Sequence, residues 1–342
     1  MKILGIETSC DETAASVVED GHLVLSNVIA SQIDLHAKTG GVVPEVAARE
    51  HVLKMLPVID EALGNFGFDD LDAIAVTKGP GLISSLIIGT ETASVISCVK
   101  EIRLIEVQHI VGHIYSNWLN VAEPIEFPIL VLTVSGGHNE LILMKGHGEF
   151  EVLGETLDDA AGEAFDKVAR LLDLGYPGGP IISRIAVSGD EKAFKLPRAW
   201  LSQGSLDFSF SGLKTAVLDL VKNTVAARGI LSAKFKADVS ASFQEAVCEI
   251  LATKLMMAYE KFPQIKELHL AGGVSANLRL RELIEEKIAI FKIKVKFRYP
   301  RDLKFCTDNA AMIAAAGYHL YKKNPKAHKR LANVVPSANY AL

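Results

Sequence analysis

The sequence predicts an α/β protein built from two duplicated lobes with a ligand cleft between them. Three observations lead there. The chain has 342 residues, 49% of them hydrophobic, enough to fill two cores. A buried strand that ends in small hydroxyl or glycine residues before the chain turns back occurs twice, at Glu7-Thr8-Ser9 and at Thr133-Val134-Ser135-Gly136-Gly137. Each hairpin is followed by alternating strand and helix patterns, the sequence form of α/β units.

Residues 2–8 (KILGIET), 13–19 (TAASVVE) and 22–30 (HLVLSNVIA) are rich in Val and Ile and read as three strands, with Asp20-Gly21 a hairpin signal. From Pro44 to about Leu63, the residues Val52, Leu56, Ile59 and Leu63 recur at helical spacing, with Pro57 a point of bending. Strand Leu71–Thr77 enters the loop Lys78-Gly79-Pro80-Gly81 and then a helix to about Val99. Strand Arg103–Val107 leads to a helix near His109–Val121. Phe127–Val134, the turn Ser135-Gly136-Gly137-His138 and Asn139–Met144 make the second hairpin. A helix at 160–173, a loop from Gly175 to Pro180 and helices near 211–228 and 237–262 come next. The chain closes with strand Glu267–Leu270, the loop Ala271 to Asn277, helix 278–288, strand Lys294–Arg298 and a helix from Asp308 to about Tyr321. The lobes are expected at 1–126 and 127–342. The second carries a helical insertion at about 160–262, and the terminal helix 308–321 is a candidate to pack back on the first lobe.

Composition narrows the class. The N-terminus reaches Glu7 before an apolar stretch long enough for a secretory signal can form. The densest apolar segment, Leu82 to Lys100, is broken by Glu91 and several Ser and Thr, short of the roughly 18 uncharged residues of a membrane span. A cytoplasmic protein with no membrane partner is the expectation. Cys10, Cys98, Cys248 and Cys306 form no C-x-x-C, which speaks against a zinc knuckle or a disulfide framework and for reduced thiols. With a formal charge of −5, phosphate binding requires a local basic patch. One candidate runs from Arg184 to Lys236 (Arg184, Lys192, Lys195, Arg198, Lys214, Lys222, Arg228, Lys234, Lys236), and another from Lys322 to Arg330. The plain reading of each is a solvated helix face or a soluble tail.

Several residue sets can carry chemistry. Gly136-Gly137 at a strand end lets backbone N–H groups approach an anion, and a tight hairpin explains it equally. Ala271-Gly272-Gly273-Val274-Ser275-Ala276-Asn277 places glycines between a strand and a helix N-terminus, favourable for a phosphate or nucleotide; the alternative is close strand–helix packing with Asn277 as helix cap. His109 and His113 are four apart in a helical stretch, so one face can present both rings to a divalent cation, or they are two unrelated histidines. Asp308 is a candidate third ligand or a helix N-terminal acid. Asp11 and Glu12 follow the first strand and can serve a proton or a cation, or form a polar turn. Asp166, in an apolar helical stretch, needs a partner, which a ribose hydroxyl or Arg170 can supply.

Eight segments, in this order, carry a resemblance over nearly the whole chain. They are Gly5-Ile6-Glu7-Thr8-Ser9-Cys10-Asp11-Glu12-Thr13, Gly40 to Glu45, Lys78 to Leu82, His109-Ile110-Val111-Gly112-His113, Val134 to His138, Gly175 to Pro180, Asp207 to Thr215 and Ala271 to Asn277. With them the chain resembles the tRNA N6-adenosine threonylcarbamoyltransferase family, formerly described as O-sialoglycoprotein endopeptidases or glycoproteases. The resemblance implies the actin-like ATPase superfold shared by sugar kinases, heat-shock ATPases and actin. It implies that His109, His113 and Asp308 hold one divalent metal ion; two imidazoles and a carboxylate suit iron, zinc and several other divalent ions, of which iron is the expectation and zinc the alternative. It further implies that Val134, Ser135, Gly136, Gly137 and His138 hold the phosphate end of the substrate, and that Asp166, Gly179 and Asn277 bind the ribose and adenine side.

The implied reaction moves the threonylcarbamoyl group of threonylcarbamoyl-AMP to N6 of the adenosine 3′ of the anticodon in tRNAs reading codons that begin with A, and releases AMP. Asp11 or Glu12 is the candidate acceptor of the amine proton. The implied partners are tRNA, an inactive paralogue of the same fold and a small P-loop ATPase. Two other readings compete with this one. A metalloendopeptidase acting on glycoproteins lacks the glutamate that would follow His109 as general base. A non-catalytic ATP-binding subunit would be expected to have lost part of the set His109, His113 and Asp308.

Overall fold

The computed structural model describes residues 1–202, 204–328 and 334–342. Lys329 and Arg330 of the terminal basic run therefore lie outside the described residues. The chain divides into two compact units, one of Met1–Glu126, Met144–Phe150 and Arg298–Leu342, the other of Phe127–Leu143 and Glu151–Phe297. The sequence reading puts the second lobe at 127–342 with helix 308–321 a candidate to pack back on the first; Arg298–Leu342 and the short hairpin segment Met144–Phe150 fall in the first unit.

The first unit opens with β1 (Lys2–Glu7) and β2 (Glu12–Glu19), antiparallel, followed by β3 (Leu23–Val24) and β4 (Val28–Ser31) on β2. A single strand over 22–30 was expected. Leu25 and Ser26 both donate to the Val17 carbonyl, so two residues face one and the ladder is interrupted by a bulge. After the short helix α1 (Ile33–Ala37), α2 (Pro44–Leu63) takes the predicted span with Pro57 inside it. Then β5 (Ala73–Gly79), α3 (Ile83–Lys100), β6 (Arg103–Gln108) and α4 (His109–Tyr115) follow. β5 and β6 run parallel to β1, giving the order β3-β2-β1-β5-β6. Alternate strand residues Leu4, Ile6, Val17, Ile74 and Val76 are buried with Met55, Val58 and Ile59 of α2, each large side chain contributing roughly 1.5–3 kcal/mol by its burial. By length and composition α3 would be able to cross a membrane, which the sequence reading had discounted; here it packs on α2, β5 and β6.

The predicted helix over 109–121 ends six residues early. Ser116 Oγ donates to the His113 carbonyl at 2.6 Å and Asn117 Nδ2 to that of Ile114 at 3.4 Å, taking acceptors that a continuing helix would use.

The second sheet repeats the first. It comprises β7 (Ile129–Val134), β8 (Asn139–Gly146), β9 (Glu149–Glu155), β10 (Glu267–Ala271) and β11 (Lys296–Arg298), in the order β9-β8-β7-β10-β11, with β10 parallel to β7. In both sheets the opening strand is central, its hairpin partners lie on one side and later strands on the other. The helices are α5 (Ala161–Leu171), α6 (Gly178–Ala186), α7 (Ser211–Arg228), α8 (Ala233–Lys261), α9 (Leu278–Ile290) and α10 (Ala310–Lys323). The helix α6 was not expected, because Tyr176-Pro177-Gly178-Gly179-Pro180 reads as a breaker; its prolines sit at the cap and in the first turn, where no helical N–H is lost. Helix α8 begins four residues early, since Ser232 accepts from Phe235 N and caps it.

Helix α10 explains the domain difference. Its Ala-rich face packs on β1, β2 and β5 of the first unit. A side chain at Gly5 would overlap the Ala310 carbonyl, and one at Gly317 would stand 2.6 Å from Ala75 Cβ, so glycines on both sides permit the approach.

Candidate metal centre and nucleotide loops

In the first unit, β1, β5 and β6 are parallel, and their C-terminal ends bring together Glu7, Thr77 and the start of α4. One helical turn separates His109 from His113, so their rings meet edge to face with centroids 4.6 Å apart. Asp308 reaches both from another part of the chain: its Oδ1 lies 3.5 Å from His109 Nε2 and 3.2 Å from His113 Nε2. Asp308 precedes the cap Asn309, whose side chain accepts from Met312 N, so it is not a first-turn acid of α10.

This set fits a metal ion. The three ligand atoms lie within 4.8 Å of one another. Both ring nitrogens of His113 are buried and make no well-formed hydrogen bond among the described residues, Nε2 facing only the Asp308 carboxylate, an arrangement that a cation between the two satisfies. Glu7, which the sequence reading did not single out, supplies the outer support. Its Oε2 is 3.1 Å from His109 Nδ1 and accepts from Thr77 Oγ1 at 2.6 Å, fixing the ring so that Nε2 faces Asp308. Burial opposes a charge on His109, but the Glu7 and Asp308 carboxylates outweigh it and hold its proton up to about 10. Asp308 is held well below the carboxylate range by the two imidazoles against the opposing effect of its own burial.

Asp11 lies in the turn between β1 and β2, and Glu12 opens β2, paired with Ser31 of β4. The turn is pinned by His51 of α2, whose ring meets Thr13 Oγ1 at 2.7 Å through Nδ1 and the Cys10 carbonyl at 2.9 Å through Nε2. The Nε2–H tautomer satisfies both bonds. Burial raises Asp11, with help from the Asp308 charge. Glu12 is raised to about 8, by burial first and then by the charges of Asp11 and Asp308, against a hydrogen bond from Ser31.

In the second unit, β7 and β10 are parallel with Thr133 opposite Ala271, so the turn 135–138 and the loop 272–277 leave from the same sheet end. Ser135 N donates to the His138 carbonyl at 2.8 Å, a tight hairpin, and the first-turn amides of Gly162 and Glu163 in α5 donate to the Ser135 and Gly136 carbonyls. The glycines separate into two kinds. Gly272 has φ +84 and a side chain there would overlap the Val134 carbonyl, so it serves packing. Beside Gly136, Gly137, Gly179 and Gly273 there is open space where a side chain would stand. Val134 is fully buried, leaving only its backbone for a ligand.

Asp166 accepts from Gly178 N at 2.7 Å, which places α6 and Gly179 beside α5. Its acidity is shifted upward by burial, against the Gly178 and Gly179 amides and the Arg170 charge. Asn277 caps α9 by accepting from Leu280 N at 3.1 Å, and its Nδ2 donates to Ser183 at 3.1 Å and Gln244 at 3.0 Å.

A family model described as tRNA N6-adenosine threonylcarbamoyltransferase matches residues 23–315. A Bacillus cereus protein of that name is 54% identical over 95% of this chain and 93% of its own, and one from Dehalococcoides mccartyi is 52% identical over 93% of each. The chain belongs to the tRNA N6-adenosine threonylcarbamoyltransferase family. It is an enzyme, a transferase.

The fold of this family member is actin-like. Its coordinates match component A of (R)-2-hydroxyglutaryl-CoA dehydratase from Acidaminococcus fermentans with a TM-score of 0.53 at 15% identity, covering 95% of this chain and 100% of the other. HypF of T. kodakarensis matches with a TM-score of 0.58 at 16% identity, over 94% of this chain and 48% of that one. The four cysteines of the family member are free thiols.

Proposed function

We propose that the chain transfers the threonylcarbamoyl group from threonylcarbamoyl-AMP to N6 of the adenosine 3′ of the anticodon in tRNAs reading codons that begin with A, releasing AMP. The observation that carries this reading, within the family, is the intact set His109, His113 and Asp308 with Glu7 behind it. A new bond forms between N6 and the carbamoyl carbon, the bond from that carbon to the phosphate oxygen breaks, and one amine proton must leave.

N6 of adenine is a weak nucleophile because its lone pair is delocalised into the ring, so positioning and a receptive electrophile supply the rate. Held by His109, His113 and Asp308, a divalent ion, iron first and zinc as the alternative, would supply Lewis-acid polarisation of an oxygen of the anhydride. Glu7 keeps His109 oriented and in the right tautomer. Backbone amides of Ser135, Gly136, Gly137 and His138 are assigned to the phosphate, where they balance the charge that grows on departing AMP. Asp166, Gly179 and Asn277 are assigned to the ribose and adenine side. Glu12, raised to about 8, has the proton affinity of a general base working near neutrality, with Asp11 as the alternative.

The basic residues of 184–236 are assigned to the RNA backbone. The reading places the enzyme in the cytoplasm with an inactive paralogue of the same fold, a small P-loop ATPase and a separate enzyme that makes the adenylate. The test is to mix the purified chain and these helpers with unmodified tRNA, threonine, bicarbonate and ATP, then to digest the tRNA and weigh its nucleosides. Threonylcarbamoyl-adenosine that forms only when this chain is present supports the reading. Unmodified adenosine in a mixture that a related transferase renders active overturns it.

A further inference from the structure

Residues 334–342 belong to the first unit and reach the back of its metal centre. Val334 is buried in the core between α2 and the strands β1, β2 and β5. Beyond it the backbone lies on the loop Lys78-Gly79-Pro80-Gly81. Ser337 N donates to the Lys78 carbonyl at 2.9 Å, and Gly81 N donates to the Ala338 carbonyl at 3.3 Å. A side chain at Gly79 would overlap the Ser337 carbonyl, so glycine there lets the two backbones touch. The ring of Tyr340 lies 5.1 Å from Lys78 Nζ, an ammonium that also pairs with Glu106 of β6 at 2.6 Å. The Tyr340 carbonyl accepts from Gln108 Nε2 at 3.0 Å.

Two paths lead from these contacts to His109. The first is Gln108, the residue before it, which is buried. Its Oε1 accepts from Val111 N at 2.9 Å and caps α4, so one amide side chain joins the Tyr340 backbone to the helix that carries both histidines. The second path runs through the loop. Leu82 N donates to the Ser9 carbonyl at 2.8 Å, and Ser9 N donates to Glu7 Oε1. The other oxygen of Glu7 lies 3.1 Å from His109 Nδ1. A displacement of 337–340 therefore reaches the start of α4 from one side and the Glu7 carboxylate from the other.

Fixing this segment to the core requires only Val334. The polar contacts that follow all fall on Gln108 or on the loop, and the segment Lys78 to Leu82, which carries part of the family resemblance, has no task in the proposed reaction. A chain of hydrogen bonds ending on a metal-binding imidazole is the usual means of fixing its direction, and removing one such partner typically costs about 10–100-fold in metal affinity.

We propose that residues 337–340 form a strap that positions His109 for metal binding, with Gln108 as the positioning residue through which it acts on α4. The proposal rests on the metal reading of the proposed function. It assigns the strap no contact with metal or substrate, only the placing of an imidazole.

The experiment titrates each protein with cobalt(II) against a competing chelator, records the visible spectrum of the bound ion and takes a thermal melt of the same sample. In Gln108→Glu the carboxylate keeps an oxygen to cap α4 but has no N–H for the Tyr340 carbonyl, and its added charge alone would favour a cation. Cobalt affinity should nevertheless fall about tenfold and the cobalt band should shift, with the melting midpoint within a few degrees of wild type. A chain ending at Pro336 keeps Val334 and Gln108 and should show the same loss, whereas one ending at Tyr340 should match wild type. Affinity at or above wild type in folded Gln108→Glu overturns the proposal, and this variant decides alone if the chain ending at Pro336 does not fold. An equal loss in the chain ending at Tyr340 also overturns it, since Ala341 and Leu342 would then be responsible. So does a loss that follows the melting midpoint with the cobalt band unmoved, which is general destabilisation. A wild-type chain that binds neither cobalt nor iron nor zinc instead overturns the metal reading on which the proposal stands.

Discussion

At the residue scale, the four-residue spacing of His109 and His113 on a helix and an acid at Asp308 marked candidate ligands that could equally be unrelated, and the family resemblance joined the three into the set that the structure brings together. Glu7 was not legible, although it is buried at the end of the apolar strand KILGIE. A lone acid there was the available signal, since a buried carboxylate demands a partner, but its partner His109 is 102 residues away in sequence. Replacing Glu7 by Gln should lower metal affinity about 10–100-fold without removing a ligand, as measured by competition with a chelator. Unchanged affinity would make Glu7 a packing residue.

Glu12 gives a pH prediction. Its proton is held to about 8 in the fold against an ordinary 4.5, so folding favours the protonated form. The contribution is complete below about 4.5 and is lost as pH rises through about 8. Glu12→Gln should therefore match wild type near pH 4.5 and be the more stable protein at pH 9, by roughly 1–2 kcal/mol after solvent screening. Denaturant melts across this range check it, and a wild-type advantage at pH 9 would contradict the assigned burial effect.

At the scale of elements, hydrophobic spacing located most helices and the central strands, but not always the buried face: α2 buries Met55, Val58, Ile59 and Leu63, whereas Val52 and Leu56, read as part of its apolar face, are exposed. Elements shaped by tertiary partners escaped. Helix α6 depends on Asp166 of α5 to accept its first N–H, a bond invisible in Tyr176-Pro177-Gly178-Gly179-Pro180. Among the glycine loops, sequence could not say which glycines pack and which leave room. Gly137→Val and Gly273→Val, made in open space at ordinary φ, should keep the thermal midpoint within a few degrees and weaken AMP binding at least tenfold. Gly272→Ala should do the reverse first, destabilising the fold by roughly 2–4 kcal/mol, because it combines positive φ with overlap on Val134. Calorimetry paired with AMP titration separates the two classes, and equal AMP affinity in both valine variants would remove the loops from the nucleotide site.

At the scale of the whole molecule, the duplication visible in two hairpins is present as two sheets of the same strand order, and candidate chemistry sits at the C-terminal ends of parallel strands in both. The lobe assignment of the C-terminal segment was less legible. The terminal helix was read as a candidate to pack back on the first lobe, but what permits it, the close approach of α10 to β1 and β5 through Gly5 and Gly317, pairs glycines 312 positions apart that spacing alone does not connect. The central claim is that the residues gathered on the first of these units hold a metal on which transfer depends while the fold does not. The direct measurement is metal content per chain together with the rate of threonylcarbamoyl transfer to tRNA, for wild type and Asp308→Ala, on samples whose melting is recorded. The account predicts about one ion per wild-type chain, and a folded variant with little metal and transfer reduced at least 100-fold. Full transfer by metal-free Asp308→Ala would contradict it.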